Sequence, residues 1–78
     1  MASQDVTPQD MVQNAQSEIG RLQMTYRDSE LAFWALAVAW QALRFAWYIL
    51  DGDRGSAQGK LAEVKQAIAD FERMRAKR

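Results

Sequence analysis

Residues 25–30 read TYRDSE. Whether the backbone stays helical through them decides if this chain holds two helices or three. On the N-terminal side apolar residues recur at Val12, Ala15, Ile19, Leu22 and Tyr26. On the C-terminal side they recur at Phe33, Leu36, Trp40, Leu43, Trp47 and Leu50. The steps alternate between three and four, with Ser29 in one slot, which is a heptad seam holding phase for roughly six heptads. The shared phase predicts one helix over residues 8–50, about 65 Å long from the rise per residue. TYRDSE also supports the opposite outcome. Asp28 and Ser29 are good N-caps, and a break near 28–29 leaves segments of similar length, 8–27, 29–50 and 57–77, suited to a three-helix bundle. The continuous helix is the expectation, because a tight helix–helix turn usually needs two or more non-helical residues, and only this polar patch can supply them.

The other boundaries are clearer. Thr7 before Pro8 is a helix start, with the threonine as N-cap and the proline at the first helical position. Residues 1–6 are expected to fray. DGDRGS, residues 51–56, is a turn, and Gly52 suits the left-handed cap after a helix. Its aspartates resemble the start of a calcium loop, but Gly55, Ser56 and Ala62 occupy places where that loop needs an oxygen ligand, a glycine and a glutamate. Ser56 is expected to cap a last helix, about 56–77, with an apolar seam of Leu61, Val64, Ile68, Phe71 and either Met74 or Arg75. Lys60/Glu63, Asp70/Arg73 and Glu72/Arg75 are pairs three apart, typical of a solvated outer face. The expected fold is therefore all-α: a long helix and a shorter antiparallel one in a helical hairpin, paired with a second copy as a dimeric bundle. All of residues 1–78 form a single helical domain.

Composition narrows the functional classes. A chain of 78 residues is marginal alone and usually needs a disulfide, a metal or a second subunit. It has no cysteine and no histidine, so disulfides, thiolate sites and the commonest general base are excluded. A homodimer is the remaining staple. Ten basic and ten acidic residues balance, and no field steers the chain toward nucleic acid. The basic residues Arg73, Arg75, Lys77 and Arg78 complement a helix C-terminus. The N-terminus has neither a basic n-region nor an apolar core, so a cytoplasmic location is expected rather than secretion.

Residues 31–50, LAFWALAVAWQALRFAWYIL, hold all three tryptophans of the chain. At 100° per residue they divide into sectors. One is the seam through Phe33, Leu36, Trp40, Leu43, Trp47 and Leu50. A second is a stripe of Ala32, Ala35, Ala39, Ala42 and Ala46, ending at Ile49, which would admit a close helix. A third holds Leu31, Trp34, Val38, Phe45 and Tyr48. Gln41 and Arg44 mark a narrow polar strip. A helix in a simple hairpin needs one apolar stripe a little over 100° wide, whereas this one is apolar over roughly three quarters of its circumference. It must meet more than one neighbour. A membrane span is disfavoured by the central Gln41 and Arg44, and by tryptophans spread along the depth rather than held at its ends.

No phosphate loop, nucleophile–base pair or metal-ligand cluster occurs, and no cofactor or metal is expected. The sequence therefore reads as a non-catalytic protein that self-associates and binds another protein as a regulator, adaptor or inhibitor. Self-association is assigned to Val12, Ile19, Leu22, Tyr26, Phe33, Leu36, Trp40, Leu43 and Trp47. Partner contact is assigned to Trp34, Gln41, Arg44, Phe45 and Tyr48, residue types enriched in interfaces. The alternatives are a bundle binding an apolar ligand and a membrane-associated protein with 31–50 in the bilayer.

Overall fold

A computed structural model describes residues 6–77. The expectation for residues 1–5 lies outside that range. The chain is an all-α three-helix bundle: α1 Pro8–Thr25, α2 Glu30–Asp51 and α3 Arg54–Ala76. The single helix over 8–50 and the two-helix hairpin are both overturned, and the break at TYRDSE is real. Thr25 Oγ1 donates to the Arg21 carbonyl at 3.2 Å. Tyr26 closes α1, its N–H donating to Leu22 O at 2.9 Å. Ser29 N–H donates to Tyr26 O at 3.0 Å. Ser29 then takes extended backbone (φ −101°, ψ 103°), and its Oγ accepts from Ala32 N–H at 3.3 Å as the cap of α2.

Burial decides in favour of the break. A straight helix would leave one whole side of α2 in water. Folding α1 back half-buries Leu36, Trp40, Leu43 and Trp47. Half-burial of such side chains contributes about 1 kcal/mol each, by scaling the value for full burial. The turn costs less, because its own hydrogen bonds replace several of those lost from the helix. The common heptad phase of the two halves did not require continuity, since a hairpin also needs facing seams.

The second connection is shorter than expected. Only Gly52 and Asp53 separate α2 from α3, not residues 51–56. Gly52 is left-handed (φ 80°), its N–H donating to Ile49 O and that of Asp53 to Tyr48 O, both at 3.1 Å. Those paired bonds close the end of α2. Asp53, rather than Ser56, caps α3: its carboxylate accepts from Ser56 N–H at 3.0 Å. At the other end of the chain, Thr7 accepts from Asp10 N–H at 3.0 Å and Pro8 opens α1, as the sequence indicates.

α2 lies between the other two, antiparallel to both, and α1 and α3 do not pack on each other. The molecule is 29 Å across its middle dimension. Three helices abreast span about 24 Å at ordinary interaxial spacing, whereas a closed triangle would span about 14 Å. The bundle is thus an open layer one helix thick. Its core is thin: Ala57, Val64 and Ala67 of α3 are buried, and among the described residues no large side chain is fully enclosed. The expected α3 seam is rotated accordingly. Val64 and Phe71 face inward with Ala57 and Ala67, while Leu61 and Ile68 remain 36% and 42% exposed.

Two predictions follow from the caps. Gly52→Ala forces a side chain into left-handed backbone and should cost about 1 kcal/mol in urea unfolding, while Gly59→Ala, in open space within α3, should gain about 0.5–1 kcal/mol. The Ser56 N–H holds the Asp53 carboxyl below the usual aspartate range. Its contribution to stability is therefore present at neutral pH and lost as pH falls through the lowered value. Asp53→Asn should retain a cap and flatten that acid-side dependence in thermal melts.

Candidate functional site

The surfaces of α2 are the candidate site, and its two neighbours determine which of them remain. α1 packs along the middle of the leucine–tryptophan seam, while Leu50 at its end stays 48% exposed. Gln9 Nε2 donates to Asp51 Oδ1 at 3.0 Å at one end. Midway, Gln16 is 5% exposed, and its Nε2 donates to the Trp40 carbonyl at 3.5 Å. The Trp40 indole lies against Gly20, where an added methyl would sit 3.6 Å from Nε1. Gly20 thus faces a ring across ordinary contact distance. Gln9, Gln16 and Gln23 recur at heptad spacing along this inward side. They are a signal present in the sequence that a search for apolar seams passes over.

α3 covers the opposite side. Lys60 Nζ donates to Gln41 Oε1 at 3.1 Å, pairs with Glu63 at 2.7 Å and lies 5.8 Å from the Trp40 ring centroid. Arg73 pairs with Asp70, and Arg75 with Glu72 at 2.9 Å, on the solvated side of α3. Trp34 borders clefts of about 230 and 280 Å³ with Asp70 and neighbouring α3 residues. Phe45 and Ile49 border another of about 270 Å³ with Ala57 and Leu61.

Flanking on two opposite sides leaves α2 with two open faces. On the first, the Arg44 guanidinium rests 4.5 Å from the Trp47 ring centroid and 5.3 Å from that of Tyr48. Trp47 and Tyr48 meet edge to face at 5.6 Å and 84°. Phe33 and Trp34 do the same at 5.7 Å and 85° near the start of the helix. Among the described residues, no carboxylate is within ion-pair distance of Arg44. The buried Trp47 Nε1 has no hydrogen-bond partner among the described residues.

The second face is aliphatic. Ala35, Ala42 and Ile49 are exposed along α2. Helical geometry, at 100° per residue in antiparallel neighbours, turns Leu61 and Ile68 of α3 and Leu22 and Tyr26 of α1 to the same side.

The residues assigned to partner contact are therefore divided. Trp34, Gln41 and Phe45 lie along α3, while Arg44 and Tyr48 are on the open aromatic face. The residues assigned to self-association are divided too. Val12, Ile19, Leu36, Trp40, Leu43 and Trp47 lie at or beside the α1–α2 contact. Phe33 and Leu22 are half-buried, and Tyr26 is 51% exposed.

α2 is also long and apolar enough to cross a membrane by length and composition, with a mean hydropathy of 1.3 over its most apolar window. Among the described residues no three acidic side chains gather as a metal site. No protein-family model matches this chain, and neither the curated proteins nor the solved structures include a significant match.

The Gly20–Trp40 contact gives a direct test of the α1 docking. Gly20→Leu should displace the indole, red-shift tryptophan emission and lower stability by about 1–3 kcal/mol through overpacking. Gly20→Ala should be accommodated, since its methyl meets only ordinary van der Waals contact.

Proposed function

We propose that this chain is a small, self-associating, non-catalytic binding protein of the cytoplasm, acting as a regulator, adaptor or inhibitor. It docks another protein on the aromatic face of α2. The observation that carries this reading is Arg44, stacked on Trp47 and Tyr48 with no carboxylate partner among the described residues. Stacking holds the guanidinium in one place while its in-plane N–H groups stay free to donate. A rigid aromatic base bearing an unpaired arginine suits a helix or strand that brings a carboxylate or a run of carbonyls. The surrounding carboxylates of α3 are engaged by their own lysine or arginine, which leaves the incoming acid little competition.

A membrane-associated reading has one observation in its favour, the length and hydropathy of α2 together with its open faces. The clefts, at about 230–280 Å³, fall below the usual volume of a pocket for a drug-sized apolar ligand.

Protein captured from cells by the wild-type chain should be lost with Arg44→Ala and with Tyr48→Ala, each weakening binding by about 10- to 100-fold in titration with the captured partner. Helicity by circular dichroism should be unchanged in both. Unaltered capture by both variants would reject the aromatic face, and recovery of the chain only in detergent would favour the membrane reading.

A further inference from the structure

We propose that the aliphatic face, rather than the leucine–tryptophan seam, receives a second copy of this chain, so that two layers stack face to face. The proposal rests on the self-association proposed above and assigns its surface. The middle of the seam cannot serve, because α1 of the same chain already packs there through Gln16 and Gly20 against Trp40. The aliphatic face is unused and large enough. The 22 residues of α2 make it about 33 Å long, and three helices abreast make it about 24 Å wide. The whole side of the layer is therefore roughly 800 Å² per copy, enough to hold an interface of the standard size, with the aliphatic residues at its middle.

Chemistry and shape point to a second copy as the occupant. Between Glu30 and Asp51 the only charge on α2 is Arg44, which is on the other face. Stacking therefore buries no charge along α2, and the charges nearest the face, Arg54 and Arg75, lie in the heptad column of Leu61 and Ile68 at the two ends of that ridge. The formal net charge is zero, so no overall charge opposes self-association. Exposed Ala35 and Ala42 form a shallow floor that lets a partner helix approach closely. Beside it stand Ile49, Leu61 and Ile68, which are 53%, 36% and 42% exposed. The cleft of about 270 Å³ lined by Phe45, Ile49, Ala57 and Leu61, with Arg54 and Gln58 at its polar edge, opens beside this floor. A two-fold axis along the face presents the ridge of each copy to the floor and cleft of the other, the self-complementarity an isologous dimer requires. Arg44 then points outward from both copies, and the dimer displays two partner sites on opposite sides.

Sedimentation equilibrium in plain buffer should give the wild-type chain at twice its 8.9 kDa mass. Ala42→Glu should weaken the dimer at least about 100-fold by placing a charge at the centre of the interface, with helicity retained because Ala42 is exposed. Glu63→Cys and Ala42→Cys add a measurement independent of that variant's folding, since the chain has no other cysteine. A short bismaleimide should link Ala42→Cys into dimers and leave Glu63→Cys, on the aromatic side, unlinked. A monomeric wild type would overturn this proposal and self-association together. A dimeric wild type with an unweakened Ala42→Glu dimer, or with linking at 63 and not at 42, would overturn the face assignment and leave self-association standing. Wild type recoverable only in detergent would assign the face to lipid and overturn the second copy.

Discussion

The rest of the structure depends on the apolar girth of α2. A helix apolar over most of its circumference cannot be satisfied by one neighbour, because one packed helix covers a single sector. The chain supplies two, one before α2 and one after, and places them on opposite sides. Each connection is tight, four residues at one end and two at the other, so both neighbours return antiparallel along its length. The layer, its thin core and its two open faces follow from that arrangement.

The two flanking contacts differ in kind. α1 meets α2 through amides, a glycine and an indole: Gln9 on Asp51, Gln16 on the Trp40 backbone, and Gly20 under the Trp40 ring. α3 meets it through small apolar residues, Ala57, Val64 and Ala67, with Lys60 reaching across to Gln41. Neither contact encloses a large side chain. A chain without disulfides that buries so little alone is a natural candidate for a second layer, which would turn two half-buried surfaces into one core.

Much of this architecture was legible in the residues. Thr7-Pro8 and Gly52 mark their helix ends by stereochemistry that any context would respect. The sectors of 31–50 were legible as well, including the alanine stripe. Two features misled the sequence reading. The heptad phase carried through TYRDSE suggested continuity, yet phase is blind to whether a seam faces a partner or folds back on itself. The heptad row Gln9, Gln16 and Gln23 went unread because amides are not counted among apolar positions, although Gln16 is the most buried residue of α1.

The amino-acid sequence by itself determined an all-helical chain with a central helix too apolar to stand alone, since both follow from local propensity and periodicity. Only the tertiary structure decided which sectors of that helix are used. Sector use depends on which neighbour arrives from which side, a long-range choice made by comparing burial along whole helices with the cost of a turn. That choice placed the middle of the leucine–tryptophan seam against α1 and left Arg44 on one face and Ala35, Ala42 and Ile49 on the other.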